Sequence, residues 1–435
     1  MPDYYFEQLK QILGSEYEAF KAAYDTKPRF KALRVNTLKI SVDEFKSLCE
    51  RYERAGIRDY GLKPNPLCIN SFYTCVKPSL DPLYHAGLYY MQEPSAAAAV
   101  AAFAPYIGER VLDLCAAPGG KTTQAAAYMR GGVLFCNDVE SKRVNALKEN
   151  LARLGVTNAV VTQASAADYV NADFCEYFDT LIVDAPCSGG GMMRYESVPY
   201  SESIVDGCAV RQREILDSAV KLLKNGGYML YSTCTFAPQE DEQNVKYILD
   251  KGFTTVDTPI VAGAVRGINL PDARRIYPHN FDGEGHFYCI LKKTAGGESD
   301  KPTMRVKRKL VEINGLKIDC REFPDGLHYA PEIPRLDGLL KKCRGVGVKI
   351  DRKKDELDYA VLHALNAEQL KAVGTVELCM EDAQKYIRGD QIAIAAKKGF
   401  YAATIDGYAL GCVKSAPDGA GEMVLKNLYP QSLRV

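Results

Sequence analysis

Between residues 93 and 294, short apolar runs alternate with helical stretches, and nothing else in the chain restricts its fold as much. "RVLDLCA" enters a Gly turn and the helix-forming "KTTQAAAYMR"; "GGVLFCND" precedes the amphipathic "SKRVNALKENLARLG". "NAVVTQAS", "FDTLIVDAPCSG", the helical "QREILDSAVKLLKNGG" and "YMLYSTCTF" continue the rhythm, and the strand-like "HFYCILKK" closes it. Parallel strands must be joined by crossovers, so this order predicts an α/β, Rossmann-like domain with a mostly parallel sheet and helices on both faces.

The flanks differ in texture. Residues 1–92 read as an N-terminal α+β domain, in which "YYFEQLKQILGSEYEAFKAAY" has helical apolar spacing and "FKALRVNTLKI" a strand followed by a turn. Residues 295–309 shift to Gly, Ser, Pro and basic residues and read as a linker. Residues 310–366 form an intermediate module with the basic run "LLKKCRGVGVKIDRKK" and the short helix "DYAVLHAL". Residues 367–435 read as a small β-rich module, with a hairpin at Asp406-Gly407, a pair that supplies the positive φ of a type I′ turn.

Composition narrows the function. Lys+Arg and Asp+Glu balance at 55 each, which argues against wholesale polyanion binding but not against local basic patches such as Lys301 to Lys309 and Lys341 to Lys354. The 14 cysteines include no C-x-x-C pair, which predicts reduced thiols and no metal site. No apolar run approaches about 18 residues and the start carries no secretory pattern, so a cytoplasmic protein without a membrane span is expected.

"DLCAAPGGKTTQ", Asp113 to Gln124, ends like a phosphate loop, but Cys115 stands where the opening Gly is required. In a doubly wound sheet the turn after the first strand faces the cofactor, and its small residues let backbone approach a ligand. Asp138, closing the next strand, is placed to accept hydrogen bonds from a ribose. Loop and acid fit either a dinucleotide or S-adenosylmethionine, and the spacing departs from the G-x-G-x-x-G of dinucleotide binders.

Two cysteines then fall at strand ends on that edge. "VDAPCSGGG" carries Asp184 and Cys187, and "YSTCTFAPQEDEQNV" carries Cys234. A lone thiol is usually a packed core residue, but two in loops at a ligand edge point to chemistry. The C5 carbon of cytosine is a poor nucleophile until a thiolate adds at C6, and a carboxyl near N3 assists by donating a proton.

"DLCAAPGGKTTQ", "DAPCSGGGMMR" and "YSTCTFAPQEDEQNV" together resemble the motifs of the Sun-type RNA (cytosine-5) methyltransferases, as do "YYMQEPSA", "RVNTLK" and "RIYPHNFDGEGHFYCILKK". The tail "GYALGCVKS…VLKNLYPQSLR" is similar to the C-terminal, PUA-like RNA-binding extension of the bacterial branch that modifies small-subunit ribosomal RNA. The resemblance implies S-adenosylmethionine as cofactor, Cys234 as the nucleophile that forms a covalent adduct at C6, and Cys187 as the residue assisting release. It implies Asp184 as the acid near N3, close also to the methyl donor. Cys115, Ala116, Ala117, Pro118, Gly119, Gly120 and Lys121 would line the methionine portion, with Lys121 at its carboxylate or at the target, while Asp138 holds the ribose and Arg143 supports it. Many relatives have an Asp after the third strand to face the adenine; here Ser165 stands there, leaving that contact to backbone groups or Asp168. His279 and His286 are read as packed or loop residues.

The expected activity is C5 methylation of cytosine in ribosomal RNA, 16S first, by a monomer whose partner is that RNA or the small subunit. Transfer RNA is the second substrate, and a non-catalytic assembly factor is the alternative of a different class. Adenine amine methylation is disfavoured because its N/D-P-P-Y loop is here D-A-P-C.

Overall fold

The computed structural model describes residues 3–26, 30–193, 199–261, 263–294, 307–313, 316–323, 326–330, 336, 338–350, 358–393, 396–417, 419, 421 and 423–434. Most of the expected linker at 295–309, Lys301 to 306 of the first basic cluster and 351–354 of the second lie outside them.

A ten-stranded sheet forms the centre. In chain order its strands are β1 (Arg110–Asp113), β2 (Val133–Asn137), β3 (Ala159–Thr162), β4 (Phe178–Asp184), β5 (Leu223–Thr233), β6 (Phe253–Val256), β7 (Ala264–Gly267), β8 (Leu270–Ile276), β9 (His286–Lys293) and β10 (Cys343–Val346). They lie in the order β7-β8-β9-β5-β4-β1-β2-β3-β10, with β6 beside β9. The five middle strands are parallel and the outer ones antiparallel. Strand order reverses between β1 and β4, so Asp113 and Asp184 end neighbouring strands at the switch point where such sheets bind ligands.

Helices cover both faces, as their spacing requires. Helix Ser141–Leu154 buries Val144, Leu147, Leu151 and Leu154, one apolar stripe at helical period, against Leu134 and Val161. Helix Glu202–Leu222 buries Leu216, Ala219 and Leu222 in the cluster on the other face, with Phe135, Leu181 and Tyr231.

The basic run of the intermediate module contains strands that its charges concealed. Cys343–Val346 pairs antiparallel with β3, and Val348–Ile350 joins a four-stranded sheet with Arg308–Ile313, Leu316–Phe323 and Gly326–Tyr329. Val346, Val348 and Ile350 are buried while Arg344 and Lys349 face outward, the period-2 alternation of a half-buried strand.

The N-terminal region carries helices Asp3–Leu13, Tyr17–Thr26 and Val42–Arg54 and a four-stranded sheet that includes Ala32–Val35 and Tyr89–Gln92. It shares a core with the C-terminal module: Leu33, Phe45 and Leu88 pack in one cluster with Val376, Tyr386, Ile405 and Val413. The hairpin expected at Asp406-Gly407 is present, with φ of +50° and +78°, and Asp406 contacts Arg51 and Tyr52 of the N-terminal domain. Among the described residues no helix is long and apolar enough to cross a membrane.

Candidate active site

The turn after β1 is held by bonds that its own small residues permit. Thr122 Oγ1 donates to Asp113 Oδ2 at 2.7 Å, and the Cys115 amide to Oδ1 at 3.3 Å. Asp113 is buried, and that burial pushes its carboxyl up to about 7 despite the Thr122 bond. Burial likewise pushes the Cys115 thiol up, so it packs as a neutral group. The Ala116 amide donates to Asn137 O at 2.8 Å, fixing the turn to β2. Gly119, at φ +111°, starts helix Gly120–Tyr128, and a Cβ there would sit 3.2 Å from Leu147. From the N-terminal domain, buried Arg34 donates to Gly120 O and Thr123 Oγ1, both at 2.8 Å. Nothing in the loop's sequence announces that anchor.

Asp138 follows β2 and is 3% exposed. Its Oδ1 accepts the Glu140 amide at 3.0 Å; its buried Oδ2 lies 3.3 Å from Arg143 and forms no hydrogen bond. Arg143 donates to Ala117 O at 2.6 Å, joining acid and loop. Beside Asp138, Val139 is 66% exposed, an apolar surface absent from the sequence expectation. Ser165 is bonded to neither Asp138 nor the loop. It caps helix Ala166–Asn171 in a reciprocal capping box with Asp168. The Ser165 amide, with its hydroxyl and Lys342, holds the Asp168 carboxyl below the usual range.

One strand over, Asp184 ends β4. Its Oδ1 is 2.9 Å from Lys121 Nζ and accepts Ser232 Oγ at 2.8 Å. Burial works to raise this carboxyl, but Lys121, His286 and Ser232 outweigh it and leave it below the usual carboxylate range. Cys187 and Cys234, expected from separate motifs, meet with their Sγ atoms 3.2 Å apart. The Cys234 sulfur and then burial push the Cys187 thiol well up, so it keeps its proton.

The support for this pair comes from further along the chain. Glu240 accepts the Ser188 amide at 3.0 Å and Gln212 Nε2 at 2.8 Å, and Ser188 Oγ meets Thr235 Oγ1 at 2.9 Å. The Gly191 amide donates to Cys234 O at 2.8 Å, and Tyr5 donates its hydroxyl proton to Gly190 O at 2.7 Å. Thr233 donates to Asp241 at 2.6 Å, and Arg275 neutralises both Asp241, at 3.0 Å, and Glu242, at 2.6 Å. The signal was present in "PQEDEQ": three consecutive acids beside an apolar strand require partners when buried.

His286 belongs to this group, although its motif suggested simple packing. The β5–β9 register sets Phe287 opposite Thr233, which carries His286 to the level of Cys234. Its ring is 3% exposed and is influenced by both Lys121 and Asp184. His279, in contrast, stacks on Tyr277 and contacts Glu16, away from the cysteines.

The chain matches three families in sequence. Residues 100–292 match 16S rRNA methyltransferase RsmB/F, residues 1–94 the N-terminal domain of 16S rRNA methyltransferase RsmF, and residues 373–435 the methyltransferase RsmF PUA domain. It is 35% identical over 314 residues to the ribosomal RNA small subunit methyltransferase F of Erwinia tasmaniensis, a match spanning 68% of this chain and 64% of that protein. Against the protein of the same description from an Enterobacter species it is 33% identical across 99% of this chain and 95% of the relative. Among solved structures, a methyltransferase homolog protein from Pyrococcus horikoshii is 30% identical with a TM-score of 0.57, covering 66% of this chain and 93% of its own. NSun6 from the same organism, solved with SFG, shares the fold at 21% identity and a TM-score of 0.60, over 68% of this chain and 99% of its own.

Proposed function

Because the chain belongs to the 16S rRNA methyltransferase RsmB/F family, we propose that it methylates C5 of a cytosine in the RNA of the small ribosomal subunit, with S-adenosylmethionine as donor. The observation that carries this reading is the pair of sulfurs 3.2 Å apart beside the Lys121–Asp184 ion pair. The residues present fit the donor. Asp138 Oδ2, buried and without a hydrogen bond, suits ribose hydroxyls, the Ala116–Lys121 turn suits a compact polar chain, and exposed Val139 offers the adenine an apolar face. Bound there, the cofactor would supply an electrophilic methyl group on a sulfonium. Ser165 and Asp168 are committed to each other, so the adenine edge falls to backbone groups near Ser165.

Each side chain then has a task. Cys234 gives up its thiol proton to solvent as its sulfur forms a bond to C6, and the C5–C6 π electrons move to make C5 nucleophilic. Asp184 was expected to donate a proton to the ring, but a carboxylate held below its usual range is an acceptor. The ammonium of Lys121 is therefore the donor at N3, and Asp184 accepts from the N4 amine. Once C5 carries its methyl group, the C5 proton leaves, the C5–C6 double bond re-forms as the C6–S bond breaks, and the N3 proton returns to Lys121. Cys187 passes its proton to the departing Cys234 sulfur and takes the C5 proton in its place. A paired cytosine hides C5 and C6, so the base must be unpaired or extruded. The PUA-domain match and the exposed Lys341, Lys342 and Arg344 supply surfaces for the surrounding RNA.

Replacing Cys234 by Ala should abolish methyl transfer while cofactor binding survives, and Cys187→Ala should accumulate a covalent RNA–protein band resistant to denaturant. Turnover by Cys234→Ala would overturn the nucleophile. Bisulfite mapping with and without the gene is expected to lose 5-methylcytosine from 16S RNA, and loss from transfer RNA instead would replace the substrate.

A further inference from the structure

We propose that His286 reads the target base: its neutral imidazole accepts a hydrogen bond from the exocyclic N4 amine of the cytosine. This rests on the cytosine reading above and concerns a residue that the motifs did not single out. The strand register brings His286 level with Cys234, whose sulfur would attack C6, and the ring lies within the electrostatic reach of Lys121 and Asp184. The ring is buried, and its Nε2 has no hydrogen-bond partner. A buried polar atom without a partner is costly, and its position at a reacting edge points to a ligand as the partner.

The chemistry of the neighbours decides what that partner is. Burial, and then the Lys121 ammonium, lower the imidazole to about 3, so it stays neutral, with one N–H and one lone pair, and is too weak a base to take the C5 proton. The cytosine amine has two hydrogens to place. Asp184 can take one, but its Oδ1 already receives Lys121 and Ser232. Within the group of Lys121, Asp184, Cys187, Ser232, Cys234 and His286, Nε2 of the imidazole has no bond of its own, and with the ring proton on Nδ1 it is a nitrogen acceptor. Uracil carries a carbonyl at that position, which would face the lone pair and be repelled.

The test uses a synthetic RNA hairpin containing the cytosine located by bisulfite mapping, made with cytidine or with 2-pyrimidinone riboside, which lacks the amine. For each enzyme the ratio of kcat/KM on the two RNAs is measured, a quantity that is independent of the folded fraction. In His286→Phe the cytidine preference should fall about tenfold relative to wild type, the value of one buried hydrogen bond. His286→Gln, which keeps an acceptor, should retain it to within about threefold. An unchanged ratio in His286→Phe overturns the proposal, because lost packing alone slows both RNAs equally. Failure of the parent reading looks different: the wild-type enzyme would then form neither a Cys234 adduct nor a C5-methylated product on the cytidine RNA.

Discussion

The turn and acid proposed for the cofactor are fixed largely by neighbours in sequence, whereas the two cysteines are fixed by groups far along the chain. Thr122 reaches back nine residues to Asp113, and Glu140 two residues to Asp138. Ser188, next to Cys187, depends on Glu240, 52 residues away, and Gly190 on Tyr5, 185 residues away. A nucleoside pocket needs a tight turn and one acid, which a single βαβ unit can make alone. A thiol pair must be brought together from two loops and held at a set distance. That requires a scaffold outside both loops, and here it is built from buried charge. Asn137 and Arg143 reach the turn from within that unit, and Arg34 ties Gly120 to the N-terminal domain from outside it.

The contrast predicts where the molecule breaks first. Arg275 is 1% exposed and neutralises Asp241 and Glu242, themselves buried. Arg275→Met leaves two carboxylates without their cation, which costs about 3–5 kcal/mol. Denaturant unfolding should show that loss, together with a disordered Cys234 loop, while a folded remainder still binds the cofactor. A loss under about 1 kcal/mol would mean that the cysteine loops do not depend on this ion cluster.

The same division governs what the sequence made legible. The strands and helices of residues 110–293 were readable because apolar period and Gly turns are local, and the cysteines because each sits in a short distinctive motif. Their meeting at 3.2 Å, the Lys121–Asp184 bond and the approach of His286 depend on strand order and register, which a linear motif does not contain. Strand β10 was hidden for another reason: Lys341, Lys342 and Arg344 mask the alternation of the few apolar residues that bury.

A smaller effect, confined to a pH window, separates the two sides electrostatically. Asp113 titrates at about 7 when folded, against about 3.9 in an unfolded chain. The folded state therefore binds an extra proton between these values. That contribution to stability is fully present below about pH 4, declines as pH rises, and is gone above about 7. Asp113→Asn should flatten part of the fall in unfolding free energy between about pH 4 and 7. Glu240, beside the cysteines, is also pushed up by burial and contributes a fall of the same sign. An unchanged slope in Asp113→Asn would place all of it on the cysteine side.

The smallest expected change is the one that asks most directly what Ser165 does. Its hydroxyl accepts the Asp168 amide at 3.2 Å, and Asp168 Oδ2 in turn accepts the Ser165 amide at 2.8 Å. Loss of such an N-cap costs about 1 kcal/mol. If Ser165 acts through this capping box alone, Ser165→Ala should lower stability by that amount and leave cofactor affinity, read by calorimetry, unchanged once the protein is folded. A matching loss of affinity would mean that the hydroxyl reaches the adenine as well. Ser165→Asp separates these possibilities further, since it restores the acid that many relatives carry there while setting a second carboxylate against Asp168 Oδ2, which the Ser165 hydroxyl meets at 2.9 Å. Tighter cofactor binding despite that repulsion would show that the cofactor side of this protein gave up an adenine contact that its backbone only partly replaces.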